Sequence, residues 1–99
     1  MEANSLCLTG KFIRRDPLRY SPAGIPILEF RLLHVSNQAE AGMALKVEFE
    51  IGGKAVSDIA IKLSELQTGN QVRLDGFLSP RNRKSSEIVF HANHFELIG

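Results

Sequence analysis

The sequence predicts an all-β fold, a small closed Greek-key barrel of five strands with a short helix between the third and fourth strands. Two observations lead to this prediction. Five segments alternate apolar residues with a period of two, which places alternate side chains on opposite faces of a strand. Glycines also occur within the first and fourth segments, where a strongly coiled barrel needs sharp bends. An open five-stranded sandwich is the alternative arrangement.

The first three predicted strands lie in the N-terminal half of the chain. The first covers residues 6–13 and ends at a segment with Asp-Pro, Ser-Pro and Ala-Gly turn signals. The second covers about 25–35, and its apolar residues on both faces indicate that part of its second face is covered. A polar connector, 36–42, leads to the third strand, where one face is expected in the core and the other in water. The apolar residues of the third strand are Leu45, Val47, Phe49 and Ile51.

The predicted helix follows a pair of glycines at 52–53, which we interpret as a turn. Apolar residues recur at helical spacing between residues 55 and 66. Ser57 or Asp58 is a candidate N-cap, and Gly69 follows where a helix end takes a left-handed residue. These signals indicate one short helix.

The last two strands are predicted at 72–78 and 87–98. In the final strand the apolar residues change parity between Ala92 and Phe95, which predicts a bulge or a strong bend. The two strands form a hairpin, and its connector has the Ser, Pro and Asn typical of a turn. Five strands, with the helix in this place, match a closed barrel of the OB type.

The connector of this hairpin carries three cations, Arg81, Arg83 and Lys84, without an acid among them. Fixed positive charges on an exposed loop attract polyanions and release their condensed counterions, so nucleic acid is the first partner to consider. A solvated surface loop without a ligand is the alternative interpretation.

Composition limits the class of protein. The chain has 99 residues, 43% of them hydrophobic and 23% charged, and we expect one globular domain that covers residues 1–99. No apolar run approaches the roughly 20 residues that cross a bilayer, and the N-terminus lacks the pattern of a secretory signal. We therefore expect a cytoplasmic protein without membrane contact. The net charge of +1 conceals an excess of basic residues at 10–35 and of acidic residues at 38–66.

The sequence offers no support for catalysis, a metal or a cofactor. Cys7 is the only cysteine, which excludes an internal disulfide, and its place between two leucines suits a small buried or half-buried residue. His91 and His94 point to opposite faces of a regular strand, so they converge on one ion only if the bulge turns one of them. We interpret these two and His34 as polar surface histidines.

Three stretches of the chain are familiar: LTGKFIRRDPLRYSPAGIPILEFRL, QTGNQVRLDGFL and SSEIVFHANHFELI. They resemble the family of primosomal replication protein N (PriB), a small relative of bacterial single-stranded DNA-binding proteins. The resemblance covers nearly the whole chain. It implies an OB-fold homodimer in the bacterial cytoplasm that binds single-stranded DNA without sequence preference. It also implies contacts with the primosomal helicase and the helicase-loading protein during replication restart, and no enzymatic activity.

The resemblance implies a binding site along the second and third strands and the last hairpin loop. Its candidate residues are Arg31, Lys46, Arg81, Arg83, Lys84 and Tyr20. Relatives often present aromatic residues on the third strand, whereas this chain has no Trp and places Lys46 and Glu48 there. Tyr20 and Phe77 are the aromatic residues expected outside the core. We therefore expect weak, mainly electrostatic binding and a greater dependence on protein partners.

The sequence leaves two other functions open. A protein-interaction adaptor with only weak, incidental nucleic-acid binding agrees with the modest net charge. Binding of RNA through the same barrel is the other, since OB folds serve both polymers. For the dimer, Ile13, Ile27 and Leu33 on the second face of the first two strands suit a two-fold contact or a covered monomer surface.

Overall fold

The computed structural model describes residues 2–99, which form six strands and one helix. In chain order the elements are β1 (Leu6–Arg15), β2 (Arg19–Tyr20), β3 (Pro26–Glu40), β4 (Met43–Val56), α1 (Asp58–Ser64), β5 (Gln71–Pro80) and β6 (Ile88–Leu97). β2 is a two-residue strand beside β3, and the other five strands are those that the sequence predicts.

The five long strands close into a barrel. β1 pairs with β5, β5 with β6, β4 with β3, and β3 with β1, all antiparallel. A short parallel contact between β4 and β6, Gly53 with Phe90 and Lys54 with His91, completes the ring. The predicted OB-type barrel with a helix between its third and fourth strands is confirmed.

The barrel interior is filled by aromatic and aliphatic side chains. Phe12 and Phe30 meet edge to face with ring centroids 5.1 Å apart, an arrangement that adds to the stabilisation from burial. Ala60 and Leu63 of α1 are fully buried, so the helix closes one end of the barrel. Gly10 lies where the predicted close approach occurs, since a Cβ there would lie 2.5 Å from the Leu32 Cγ atom.

The prediction of a polar connector at residues 36–42 is wrong. β3 continues to Glu40, β4 begins at Met43, and the two strands are joined by Ala41 and Gly42, whose φ angles are +51° and +76°. Two residues with positive φ match the twist of a hairpin, so the chain reverses without a longer loop. Residues 36–40 belong to a strand that is solvated on both faces, and their polar composition therefore resembles that of a loop.

Residues 35–48 form a two-stranded arm beyond the barrel. The last pair between β1 and β3 is Lys11 with Leu33, so the arm lacks a third strand among the described residues. As a result Leu45 is 44% exposed and Phe49, at the base of the arm, is 38% exposed. The expectation that the apolar face of the third strand lies in the core is therefore wrong for these two side chains.

The helix is shorter than predicted. It spans Asp58–Ser64. Residues 52–55 belong to β4, where they pair with residues 28–31 of β3. Ser57 occupies the N-cap position with a φ of +67°, but its side chain makes no capping hydrogen bond. Gly69 has the predicted positive φ, in a turn four residues beyond the helix-terminal residue Glu65.

The predicted bulge in the last strand is confirmed. Asp75 pairs with His94 but the next residue, Gly76, pairs with Ala92, so Asn93 is the extra residue of β6. After the bulge, inward and outward residues alternate again in β6. Because of the extra residue, both His91 and His94 point away from the barrel interior.

Candidate nucleic-acid interface

The outer face of β3 and β4 carries the first group of predicted site residues. Even-numbered residues of β3 from Leu28 to His34 are buried, so Glu29, Arg31 and Leu33 point outward. Their partners on β4 are Lys54, Gly52 and Glu50 respectively. We call the surface formed by Glu29, Arg31, Glu50 and Gly52 the outer face, and Lys54 lies at its edge.

The loop between β5 and β6 lies against the outer face through Arg81. The Arg81 Nη2 atom lies 3.5 Å from Glu29 Oε1, and its Nη1 atom lies 3.7 Å from Glu87 Oε2. The Arg81 backbone N–H also donates to the Glu87 carbonyl at 2.9 Å. Arg19 of β2 reaches the same acid, with its Nη2 donating to Glu29 Oε2 at 3.0 Å. Glu29 therefore holds two arginines from separate elements side by side.

Arg31 lies beside this group but has its own carboxylate. Its Nε donates to Glu50 Oε1 at 2.9 Å across the strand pair. Gly52 leaves space next to it, because a Cβ at Gly52 would lie 3.8 Å from Arg31 Nη1 and 3.9 Å from Glu87 Oε2. The outer face is thus an open surface at which Arg31 and the loop approach each other.

Arg83 and Lys84 are the other two cations of the loop. Both are exposed, and neither forms an ion pair with residues 2–99. Two local hydrogen bonds shape the loop around them. The Lys84 N–H donates to Asn82 Oδ1 at 2.9 Å, and the Glu87 N–H donates to Ser85 Oγ at 3.0 Å. The structure thus brings Arg81, Arg83 and Lys84 together on one ordered loop.

Lys46 and Tyr20 lie on strands and not on the loop. Lys46 is on the arm, six residues from Gly52 along β4, which corresponds to about 20 Å of strand. Its Nζ lies 3.8 Å from Glu48 Oε1. Tyr20 lies on β2 next to Arg19 and is 60% exposed, so its predicted place outside the core is confirmed. A role for these residues in binding stays a prediction.

Three residues of this surface were missed in the sequence. The turn signals of the sequence place Arg19 in a loop, and the two glycines before Lys54 indicate a turn at that point. Continuing the alternation of β4 through the glycines would have placed Lys54 on the charged side. His91, the third, pairs in register with Lys54 on one side and Phe77 on the other.

Phe77 and His91 form a stacked aromatic pair on the outside of the barrel. Their ring centroids lie 4.9 Å apart at an interplanar angle of 14°, and Phe77 is 38% exposed. Phe77 was expected outside the core, and this is confirmed. Burial, and then the positive charge of Lys54, lower the pKa of His91 below its ordinary value. The uncharged ring is therefore favoured near neutral pH.

The other histidines and the cysteine differ in part from expectation. His34 is buried, with Nδ1 2.7 Å from the Thr9 carbonyl and Nε2 2.8 Å from Ser36 Oγ, so its assignment to the surface is wrong. Cys7 is exposed because it faces outward on β1, and a hydrogen bond with Asp75 raises the pKa of its thiol. Within residues 2–99, no three His, Cys, Asp or Glu side chains group as a metal site. The helix found in this range is too short to cross a membrane.

Comparison with known proteins identifies the family. A profile described as another single-strand binding protein family matches residues 4–94. The replication restart protein PriB of Nitrosomonas europaea is 36% identical over 95 residues, which cover 96% of this chain and 88% of that protein. The corresponding protein of Bordetella pertussis is 34% identical over 88 residues, covering 89% of this chain and 82% of that one.

Solved structures agree with these relatives. The PriB structure from Ralstonia solanacearum superposes with a TM-score of 0.88 at 32% identity, covering 99% of this chain and 100% of that chain. The single-stranded DNA-binding protein of Thermus aquaticus superposes with a TM-score of 0.79 at 21% identity, covering 98% of this chain and 50% of that chain. The second likeness concerns the fold alone. The chain therefore belongs to the PriB family of replication restart proteins, within the single-strand binding proteins that share the OB fold.

Proposed function

We propose that this protein is a non-enzymatic accessory factor of replication restart that binds single-stranded DNA without sequence preference. The observation that supports the proposal most is the loop 81–87 against the outer face: Arg19, Arg31 and Arg81 lie there, and the loop also exposes Arg83 and Lys84. In this proposal one OB-fold domain acts in the bacterial cytoplasm.

The ion pairs of the outer face determine how such a site binds. Glu29, Glu50 and Glu87 already neutralise three arginines, so a phosphate must displace a carboxylate or bind beside it. Exposed ion pairs of this kind contribute about 0 to 1 kcal/mol each, so the exchange costs little. Binding is then weak and depends strongly on salt, because phosphate contacts release counterions from the strand.

A titration with a fluorescent dT oligonucleotide at several salt concentrations tests the site. Arg83→Ala with Lys84→Ala removes two cations that make no ion pair with residues 2–99, so the barrel should stay intact. We expect weaker binding and a salt slope lower by about 1.4, because each cation bound to a phosphate of a single strand adds about 0.7 to the slope. The control is Arg73→Ala, which removes one cation on β5 away from the outer face. An equal loss of affinity for each cation removed would exclude the loop from the proposed site.

The same proposal includes two protein contacts, with the primosomal helicase and the helicase-loading protein. Membership of the PriB family supports them. Capture of each protein on the immobilised chain, with and without single-stranded DNA, tests the bridging role. Bridging requires that both proteins are retained when DNA is present.

A homodimer is the proposed assembly. Ile27 and Leu33 are half-buried on the outside of the barrel, and residues 6–10 of β1 pair only with β5 among the described strands. An unpaired strand edge beside apolar side chains suits a two-fold contact. Sedimentation equilibrium should give twice the chain mass; a monomer mass at micromolar concentration would contradict the dimer.

The second candidate is a protein-interaction adaptor with only weak, incidental binding of nucleic acid. The pairing of Arg19, Arg31 and Arg81 with carboxylates favours it, because the cations are then largely neutralised within the chain. Retention of the helicase without any measurable oligonucleotide binding would support the adaptor. Competition between DNA and RNA oligonucleotides of equal length separates the remaining alternative, RNA binding.

A further inference from the structure

A groove separates α1 from the outer surface of the barrel. Its volume is about 490 Å³, within the range of small-ligand sites of about 300 to 1,000 Å³. One wall is α1 with the residues before it, and the other consists of β4, β5 and β6. Its lining includes Lys54, Ser57, Lys62, Phe77, His91 and Asn93.

The groove differs from the outer face in the state of its cations. Lys54 on β4 and Lys62 on α1 come from opposite walls, and neither forms an ion pair with the described part of the chain. Asp58 is the acidic residue in the lining. The two ammonium groups are therefore available to an anion from outside.

The aromatic pair Phe77 and His91 lines the same groove. The rings stack on each other, and Phe77 is 38% exposed. Half-exposed rings flanked by cations are the combination that binds single strands, with the rings against bases and the cations against phosphates. The lowered pKa of His91 is consistent with a neutral stacking surface.

Two irregular residues shape the groove. Asn93 is the extra residue of the β6 bulge, and bulges are frequent where a strand must aim a side chain at a ligand. Ser57 has a φ of +67°, an uncommon value for a residue with a Cβ, and such strain gathers at functional sites. An amide and a hydroxyl are thus placed where a base or sugar can form hydrogen bonds.

The groove is continuous with the outer face. Glu29, Lys54, His91 and Phe77 occupy one row of neighbouring residues on four adjacent strands, which lie about 5 Å apart. Arg81 contacts the first residue of this row. Single-stranded DNA bound at the loop would therefore contact Lys54 where it crosses the barrel toward the aromatic pair.

We infer that the groove is a second subsite for single-stranded DNA. One base stacks on the Phe77–His91 pair, and Lys54 and Lys62 bind flanking phosphates. This inference rests on the proposed function. An acidic peptide would also satisfy the two lysines, but the stacked rings and the continuity with Arg81 favour a nucleotide.

The test uses the full chain and fluorescent dT oligonucleotides of increasing length. Phe77→Leu keeps an apolar side chain but removes the ring, and we expect a loss of about 5- to 150-fold in affinity for long oligonucleotides, the equivalent of one stacked base. Lys54→Ala with Lys62→Ala should lower the salt slope by about 1.4. Both variants should lose the preference for longer oligonucleotides. The His91 ring resonances of the wild-type chain should shift on addition of dT.

Three results would overturn the inference. Wild-type binding by both groove variants, while Arg83→Ala with Lys84→Ala weakens it, would leave the proposed function standing and remove the groove from the DNA path. Loss of helicase capture by the groove variants without loss of DNA binding would identify a peptide site instead. Absence of oligonucleotide binding by the wild-type chain would refute the proposed function together with the subsite. Urea unfolding of each variant shows whether the fold is intact.

Discussion

The outer face under the 81–87 loop and the groove beside α1 present cations in different ways. On the outer face Arg19, Arg31 and Arg81 each contact a carboxylate, whereas Lys54 and Lys62 in the groove contact none among residues 2–99. On the outer face a phosphate must compete with a carboxylate for each arginine. In the groove it meets lysines that form no ion pair with residues 2–99. A net charge of +1 therefore says little about either surface, because the pairing of individual side chains decides what is available to a ligand.

The largest expected effect concerns β4, which carries both regions. A Cβ at Gly53 would lie 2.1 Å from the buried Phe30 ring, while a Cβ at the neighbouring Gly52 would contact nothing closer than 3.8 Å. Gly53→Ala should therefore destabilise the protein by about 1 to 3 kcal/mol through overpacking. Gly52→Ala, on the open outer face, should change stability by less than about 0.5 kcal/mol. Urea unfolding measures both; similar stabilities would contradict the packing described for β4.

A smaller effect tests the pairing on the outer face. Glu29→Gln removes the carboxylate shared by Arg19 and Arg81, so we expect oligonucleotide affinity to rise by up to about 5-fold, the equivalent of one exposed ion pair. Glu96→Gln is the control, because Glu96 pairs with Arg73 on another part of the barrel. Weaker binding by the Glu29 variant would show that this acid organises the site, and that its competition with phosphate is unimportant.

The smallest effect is a pH dependence in the groove. The folded state lowers the pKa of His91 from 6.5, so the unfolded chain takes up a proton at a higher pH than the folded chain. The stability contributed by this residue is full above about pH 6.5 and is lost as the pH falls through the folded pKa. His91→Gln should therefore reduce the loss of stability below pH 6.5. Unfolding midpoints over a pH series give the answer, and parallel curves for wild type and His91→Gln would exclude the effect.

The barrel was predictable because a closed five-stranded core imposes period-two alternation, and the bulge at Asn93 was visible as a change of parity. The arm was not predictable from the same pattern, since Leu45 and Phe49 alternate like core residues although they are 44% and 38% exposed. The glycines at 52–53 have the opposite effect, because they suggest a turn where β4 continues. Gly53 is required by the Phe30 ring within a strand, and local propensity alone suggested a turn.

The candidate site was predictable only as a set of residue types. Arg81, Arg83 and Lys84 are adjacent in sequence, so their shared loop could be inferred directly. The convergence of Arg19 on Glu29 joins elements brought together by barrel closure, and so does the row from Lys54 to Phe77. Such neighbours depend on strand register, which a single sequence specifies weakly.

Amide chemical shifts recorded during titration with a dT oligonucleotide locate the bound DNA on the barrel. We expect shifts in the loop 81–87, at Arg31 and Gly52 on the outer face, and in the row from Lys54 to Phe77, all diminishing as salt is raised. Shifts confined to the other end of the β5–β6 pair, around Arg73 and Glu96, or no shifts at low salt, would refute binding of DNA at the loop and the groove.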